Sequence, residues 1–136
     1  MRDCIFCRIA AGEAPSERLV ETPRVLAFLD IAPVHYGHAL VIPRDHYENL
    51  LDLPDDLWME MGQVSRRVAQ ALRSVLYAQG FNIGMNNFEP AGQVVFHTHL
   101  HVIPRYRRDG LELFPQGMYQ PGDLAKVGEQ LRTAIK

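Results

Sequence analysis

The sequence predicts an α+β domain: a five-stranded antiparallel sheet, one long central helix and a short C-terminal helix. Three observations predict it. Five short runs of β-branched and aromatic residues are punctuated by Pro and Gly and mostly joined by turn-length segments. A single long stretch between the third and fourth runs carries its apolar residues at helical spacing instead. A length of 136 residues with a 47% hydrophobic fraction suits one globular domain, 1–136, whose core needs no disulfide.

In chain order, Cys4 to Gly12 is a short apolar lead-in. Arg18 to Glu21 and Val25 to Leu29 read as strands joined at Thr22-Pro23-Arg24, where Pro presets φ for a turn. Asp30 to Gly37 is a loop, and His38 to Pro43 is a third strand stopped by proline. Asp52 is placed to cap a helix, with Pro54 in its first turn. Leu57, Met61, Val64, Val68, Leu72 and Val75 then carry the helical period toward Gly80, a C′ residue. Phe81 to Met85 is a fourth strand and Asn86 to Gln93 a loop. The fifth strand runs from Val94 to Ile103 and is closed by Pro104. Arg105 to Gln120 is irregular, and Leu124, Val127, Leu131 and Ile135 space out the last helix.

Composition narrows the function classes. A net charge of −2 offers no broad basic field for nucleic acid or a membrane surface. No apolar run reaches bilayer-spanning length, and Met1-Arg2-Asp3-Cys4 does not open a signal sequence. A cytoplasmic protein is expected. In that compartment the two cysteines, Cys4 and Cys7, read as a metal or redox pair rather than a disulfide. A redox pair calls for a preceding strand, which three residues cannot supply. A zinc site calls for two further ligands.

The fifth strand carries the strongest chemical signal. His97, His99 and His101 stand at alternate positions of an apolar run, so on a strand they share a face, each about 7 Å from the next. Phe96, Thr98, Leu100 and Val102 fall on the opposite face, toward the core. A row of imidazoles on a buried strand is costly unless it binds something. Metal ligation, metal-free catalysis and packing all compete for it. With no carboxylate inside the strand and Glu89 and Asp109 the nearest, nucleophilic catalysis by an imidazole held in one tautomer fits better.

Gly92-Gln93, followed by His-x-His-x-His-x-x with apolar x except at Thr98, resembles the histidine triad (HIT) superfamily of nucleotide hydrolases and transferases. Phe28-Leu29-Asp30-Ile31-Ala32-Pro33 and Gly37-His38-Ala39-Leu40-Val41-Ile42-Pro43 resemble it too. The resemblance covers residues 4–106 and little of 107–136. It implies the HIT fold, a homodimer and a purine nucleotide substrate. It also implies His99 as nucleophile at the α-phosphorus, His101 hydrogen-bonding the phosphate or leaving group, and His38 in the network behind. Asp30 is implied for the ribose, and Ile5, Phe6, Ile9, Phe28 and Ile31 for the base. Asn86 and Gln93 are implied for the phosphate. Val94 departs from the pattern, since many relatives carry a hydroxyl there, which puts leaving-group handling in question. Pro43-Arg44-Asp45-His46 resembles a zinc-containing, Hint-like branch. That likeness implies one structural zinc per chain on Cys4, Cys7, His46 and His97, with no metal needed for chemistry. Two alternatives stay open: a non-catalytic nucleotide-binding regulator, and a metal-dependent hydrolase. His35 reads as surface. Arg105, Arg107 and Arg108 read as a solvated face or a greeting for a polyphosphate. Trp58 reads as helix surface or subunit contact.

Overall fold

The structure, a computed structural model, describes residues 3–136. The part of the N-terminal reading that rests on Met1 and Arg2 lies outside the described residues. The elements are α1 (Ile5–Ala10), β1 (Arg18–Glu21), β2 (Val25–Leu29), β3 (Ala39–Pro43), α2 (Asp55–Val75), β4 (Gly80–Gly84), β5 (Leu100–Arg105) and α3 (Asp123–Ala134), with 3-10 turns at Leu50–Asp52 and Glu89–Ala91. The sheet is antiparallel throughout in the order β1-β2-β3-β5-β4. The α+β reading is therefore what the chain forms.

β2 and β3 are apolar at nearly every position because both faces of the sheet are covered. Val25, Ala27, Val41, Leu100 and Val102 meet Leu57, Met61, Val64, Val68 and Leu72 of α2. On the opposite face Leu26, Phe28, Leu40 and Ile42 meet Phe6 and Ile9 of α1. The lead-in is thus a helix, begun by Cys4, whose Sγ accepts the Cys7 N–H at 3.4 Å. No residue of α3 is buried.

Several boundaries differ from the sequence expectation, β3 beginning at Ala39 and β4 ending at Gly84 among them. Asp52 does not cap α2. It closes a capping box with Asn49 around the 3-10 turn, and Pro54 is the boundary residue, with Asp55 and Asp56 facing the helix dipole. Gly80 is not the C′ residue either. Tyr77 takes the left-handed turn at φ +56, and Gly80 opens β4, one residue early. Pro104 does not close β5, which runs to Arg105 with Pro104 opposite Phe81.

The largest difference is at the histidines. β5 begins at Leu100, so His97 and His99 precede the strand. Residues 97 and 98 turn their hydrogen bonds elsewhere: Thr98 N–H goes to the Tyr47 carbonyl at 2.7 Å, and the His97 ring to the Pro43 carbonyl at 2.8 Å. Pairing with β3 therefore stops at Leu100 opposite Val41. Thr98, Leu100 and Val102 do face the core, but Phe96 does not, being 47% exposed.

Candidate functional site

The irregular approach to β5 sets each imidazole separately. His99 Nδ1 lies 2.7 Å from the His97 carbonyl oxygen, so that nitrogen carries the proton and Nε2 keeps its lone pair. His38 Nδ1 accepts the Val34 N–H at 3.0 Å, so its Nε2 is protonated. That Nε2–H reaches His101 Nδ1 at 2.9 Å, which leaves His101 protonated on Nε2. Two rings are therefore poised oppositely, His99 as a base or nucleophile and His101 as a donor. Their centroids are 5.0 Å apart. Asp30 Oδ2 lies 3.7 Å from His38 Nε2, and Asp30 Oδ1 accepts the Ala32 N–H at 2.9 Å.

All three rings are held neutral. Burial lowers the pKa of His38 and of His99 against the opposing pull of Asp30, with the His97 carbonyl also opposing at His99. Burial, then the neighbouring His99 and His38, lowers His101 from 6.5 to about 4. The consequence for stability has a definite sign. Between about pH 4 and 6.5 the unfolded chain binds the His101 proton and the folded chain does not, so stability rises with pH across that window and is lost as pH falls through it. Urea midpoints measured with chelator at pH 7, 5.5 and 4.5 should fall in that order, and His101→Gln should flatten the slope. An unchanged slope in that variant would show that His101 does not titrate as stated.

His99 and His101 open onto a cavity of about 710 Å³. Ile5, Phe6, Ile9, Phe28, Asp30, Ile31 and Asn86 all line it, most of the wall being apolar. Phe6 packs edge-on against both Phe28 and His99, with centroids at 5.6 and 5.1 Å, so α1 buttresses the ring that carries the free lone pair. Ile31 is 97% exposed and stands at the mouth. Gln93 is the exception among the candidates. It is buried, its amide donates to the Glu48 and Val95 carbonyls, and its oxygen accepts the Phe88 N–H. With every polar atom spent on backbone it braces the loop, and no donor is left for a phosphate. Val94 lines the cavity too, 83% exposed.

Sequence reasoning missed two features here. Ser16 lines the cavity with its hydroxyl buried and without a hydrogen-bond partner among the described residues; no sequence signal marks it. His35 is not a free surface residue, since its Nε2 lies 3.2 Å from Asp109 Oδ2. Arg105 is taken up as well, by Asp109 and Asn82, which removes it from the basic run.

Cys4, Cys7, His46 and His97 converge on the far side of His97, with their ligand atoms all within 4.8 Å of one another. His97 Nδ1 lies 3.3 Å from Cys4 Sγ and 3.5 Å from Cys7 Sγ, and His46 Nδ1 lies 3.3 Å from Cys7 Sγ. Tetrahedral zinc with Zn–S of about 2.3 Å and Zn–N of about 2.0–2.1 Å has ligand edges of about 3.5 Å, so these residues fit the ion. The orientation of His97 fits as well: the Pro43 carbonyl takes the His97 Nε2–H and aims the Nδ1 lone pair at the sulfurs. Burial, reinforced by Cys4, pushes the Cys7 thiol up, a cost that a bound cation reverses.

The fold and these centres define a small α+β domain with a histidine relay at a ligand-sized cavity and, behind it, a cluster of four side chains able to hold a metal ion. The model of the HIT domain matches residues 11–108. A HIT-family protein of Bacillus subtilis shares 40% identity and a TM-score of 0.90, with 98% of each chain covered. A zinc-bound histidine triad protein of Mycobacterium smegmatis shares 39% identity and a TM-score of 0.78, covering 98% of this chain and 99% of that one. An adenosine 5′-monophosphoramidase of Schizosaccharomyces pombe is 36% identical over 135 residues, 98% of each chain. The chain belongs to the histidine triad family.

Proposed function

We propose that the protein is a nucleotide hydrolase or nucleotidyltransferase acting at the α-phosphorus of purine nucleotide derivatives: phosphoramidates, mixed anhydrides or dinucleoside polyphosphates. One observation carries the reading. The hydrogen-bond chain leaves a lone pair on His99 Nε2 and a proton on His101 Nε2 at the same edge of an apolar cavity. The phosphoramidase among the relatives supports it.

In this mechanism the base lies in the slot of Ile5, Phe6, Ile9, Phe28 and Ile31, and the ribose hydroxyls donate to Asp30. Asn86, exposed at the cavity, reaches the phosphate. His99 Nε2 forms a bond to phosphorus as the bond to the leaving group breaks, and the His97 carbonyl stabilises the charge gained by the ring. His101 Nε2–H donates to the phosphoryl oxygens or the departing atom. Water then cleaves the nucleotidyl-histidine and restores His99. A structural zinc on Cys4, Cys7, His46 and His97 would supply folding energy; four protein ligands leave no position for substrate on that ion. We read the chain as one domain over 1–136 with 107–136 as its tail, working as a cytoplasmic homodimer. The exposed Val94 at the cavity, which offers no hydroxyl, favours the second reading of a slow or non-catalytic nucleotide-binding protein.

Mixing the protein with an adenosine 5′-phosphoramidate and quenching within one turnover tests both. The enzyme should give a burst of adenylylated protein, whereas tight binding with no burst would select the regulator. Asp30→Ala should weaken AMP binding and leave a 2′,3′-dideoxy analogue nearly unaffected. Equal losses would make Asp30 a turn residue only.

A further inference from the structure

We infer that His35 and Asp109 are positioning residues for the histidine relay: their contact holds the β2–β3 loop so that the Val34 N–H stays on His38 Nδ1 and fixes the tautomer passed to His101. The catalytic consequence rests on the function proposed above; the tautomer itself does not.

The relay joins two elements. His38 follows the β2–β3 loop and His101 lies on β5, and one hydrogen bond of 2.9 Å links them. What orients His38 is a backbone donor inside that loop, Val34. Yet Ile31, Ala32, Pro33, Val34 and Tyr36 are all exposed, so the loop has little packing of its own. Two attachments hold it to the body. Gly37, at φ +98, presses against the end of α2 so closely that a Cβ would lie 2.8 Å from Leu72 Cδ2 and 2.6 Å from Cδ1 of Leu76, the residue after the helix. His35 supplies the other. Among the described residues it is the one side chain of 31–37 that hydrogen-bonds outside the loop, donating to Asp109 at 3.2 Å. Its ring stands edge-on to Tyr106 at 5.6 Å, and the Tyr106 hydroxyl is tied to the Leu76 carbonyl.

Asp109 is built to hold such a load. Its side chain is 7% exposed and takes five donors: Arg105 Nε at 2.7 Å and Nη2 at 2.9 Å, the backbone N–H of Tyr106 and of Leu111, and His35. Arg105 is on β5, four residues beyond His101. The clamp therefore joins the same two elements as the relay, at a second point. A single hydrogen bond on one ring nitrogen selects between the two imidazole tautomers. Releasing His35 frees the Val34 N–H to drift from His38, and both rings of the relay then lose their fixed proton.

The test is imidazole 15N spectroscopy of the full chain. In the wild type, His38 and His101 should each be bare at Nδ1 and protonated at Nε2. In His35→Leu both should average over two tautomers, and kcat on an adenosine phosphoramidate should fall about tenfold at unchanged KM, a wrong tautomer being a loss of chemistry rather than of binding. His35→Gln, which can still donate to Asp109, should restore both. A folded His35→Leu that keeps single tautomers at both rings would overturn the inference, as would a wild type with His38 protonated on Nδ1. Should His35→Leu fail to fold, Asp109→Asn read by the same spectra carries the same expectation and the same refutation. Tautomers as stated and mixing in the variant, but no turnover in the wild type, would support the positioning role and count against the proposed function.

Discussion

Replacing His99 by alanine is expected to lower turnover by about three orders of magnitude or more while changing nucleotide affinity less than about tenfold. Three orders correspond to about 4 kcal/mol of transition-state stabilisation. The split between rate and binding follows from the geometry. The cavity walls that would hold a nucleotide come from α1, β2, the β2–β3 loop and the loop after β4, and Phe6, which touches the His99 ring, is also packed on Phe28 and the sheet. The ring contributes a lone pair at Nε2 that matters only when a bond to phosphorus forms. His101→Ala should be the weaker lesion, since it removes one hydrogen bond to the reacting group and leaves the nucleophile. The adenylylated protein seen in the burst should disappear in His99→Ala and persist, formed more slowly, in His101→Ala. Near wild-type turnover in His99→Asn would sink the assignment, because an amide cannot form the covalent intermediate.

Removing the metal ligands is expected to destabilise the protein more than it inactivates it. Elemental analysis of wild-type protein purified without added metal should give one zinc per chain, and Cys4→Ser/Cys7→Ser should abolish it. The two substitutions should also lower Tm by about 10 °C or more, since binding energy at a closed site is folding energy. The loss should concentrate in α1. That helix is six residues long, too short to persist alone, and is held by Phe6 and Ile9 on the sheet and by the two cysteines. Faster amide exchange over residues 4–12 would locate it. Activity should fall only as far as Phe6 moves away from His99, a contact of 5.1 Å between centroids. Zinc absent from the wild type, together with an unchanged Tm in the double mutant, would rule the site out and leave the cysteines as half-buried thiols.

The sequence by itself determined the α+β class, the strand runs and the long helix. Short apolar runs bounded by Pro and Gly, and one stretch of period 3.6, follow directly from the surfaces that the two core clusters bury. It also determined the chemical inventory, because only a few residue types can ligate zinc or attack phosphorus, and the family pattern assigned them by position. Boundaries were less legible. Asp52 and Gly80 looked like the caps of α2, but Pro54 and Tyr77 stand at those boundaries, since a cap depends on which nearby backbone group is left unpaired. The tertiary structure alone decided how each imidazole is held. His97, His99 and His101 are alike on paper. They differ because Pro43, His97 and His38 present a carbonyl, a carbonyl and a ring proton to them, partners supplied by β3, the chain just before β5, and the β2–β3 loop. Gln93 lost its proposed role, and His35 its surface one, for the same reason. A hydrogen bond is a pairwise, directional contact at about 3 Å, and nothing in the local pattern of a chain states which distant group will stand at its other end.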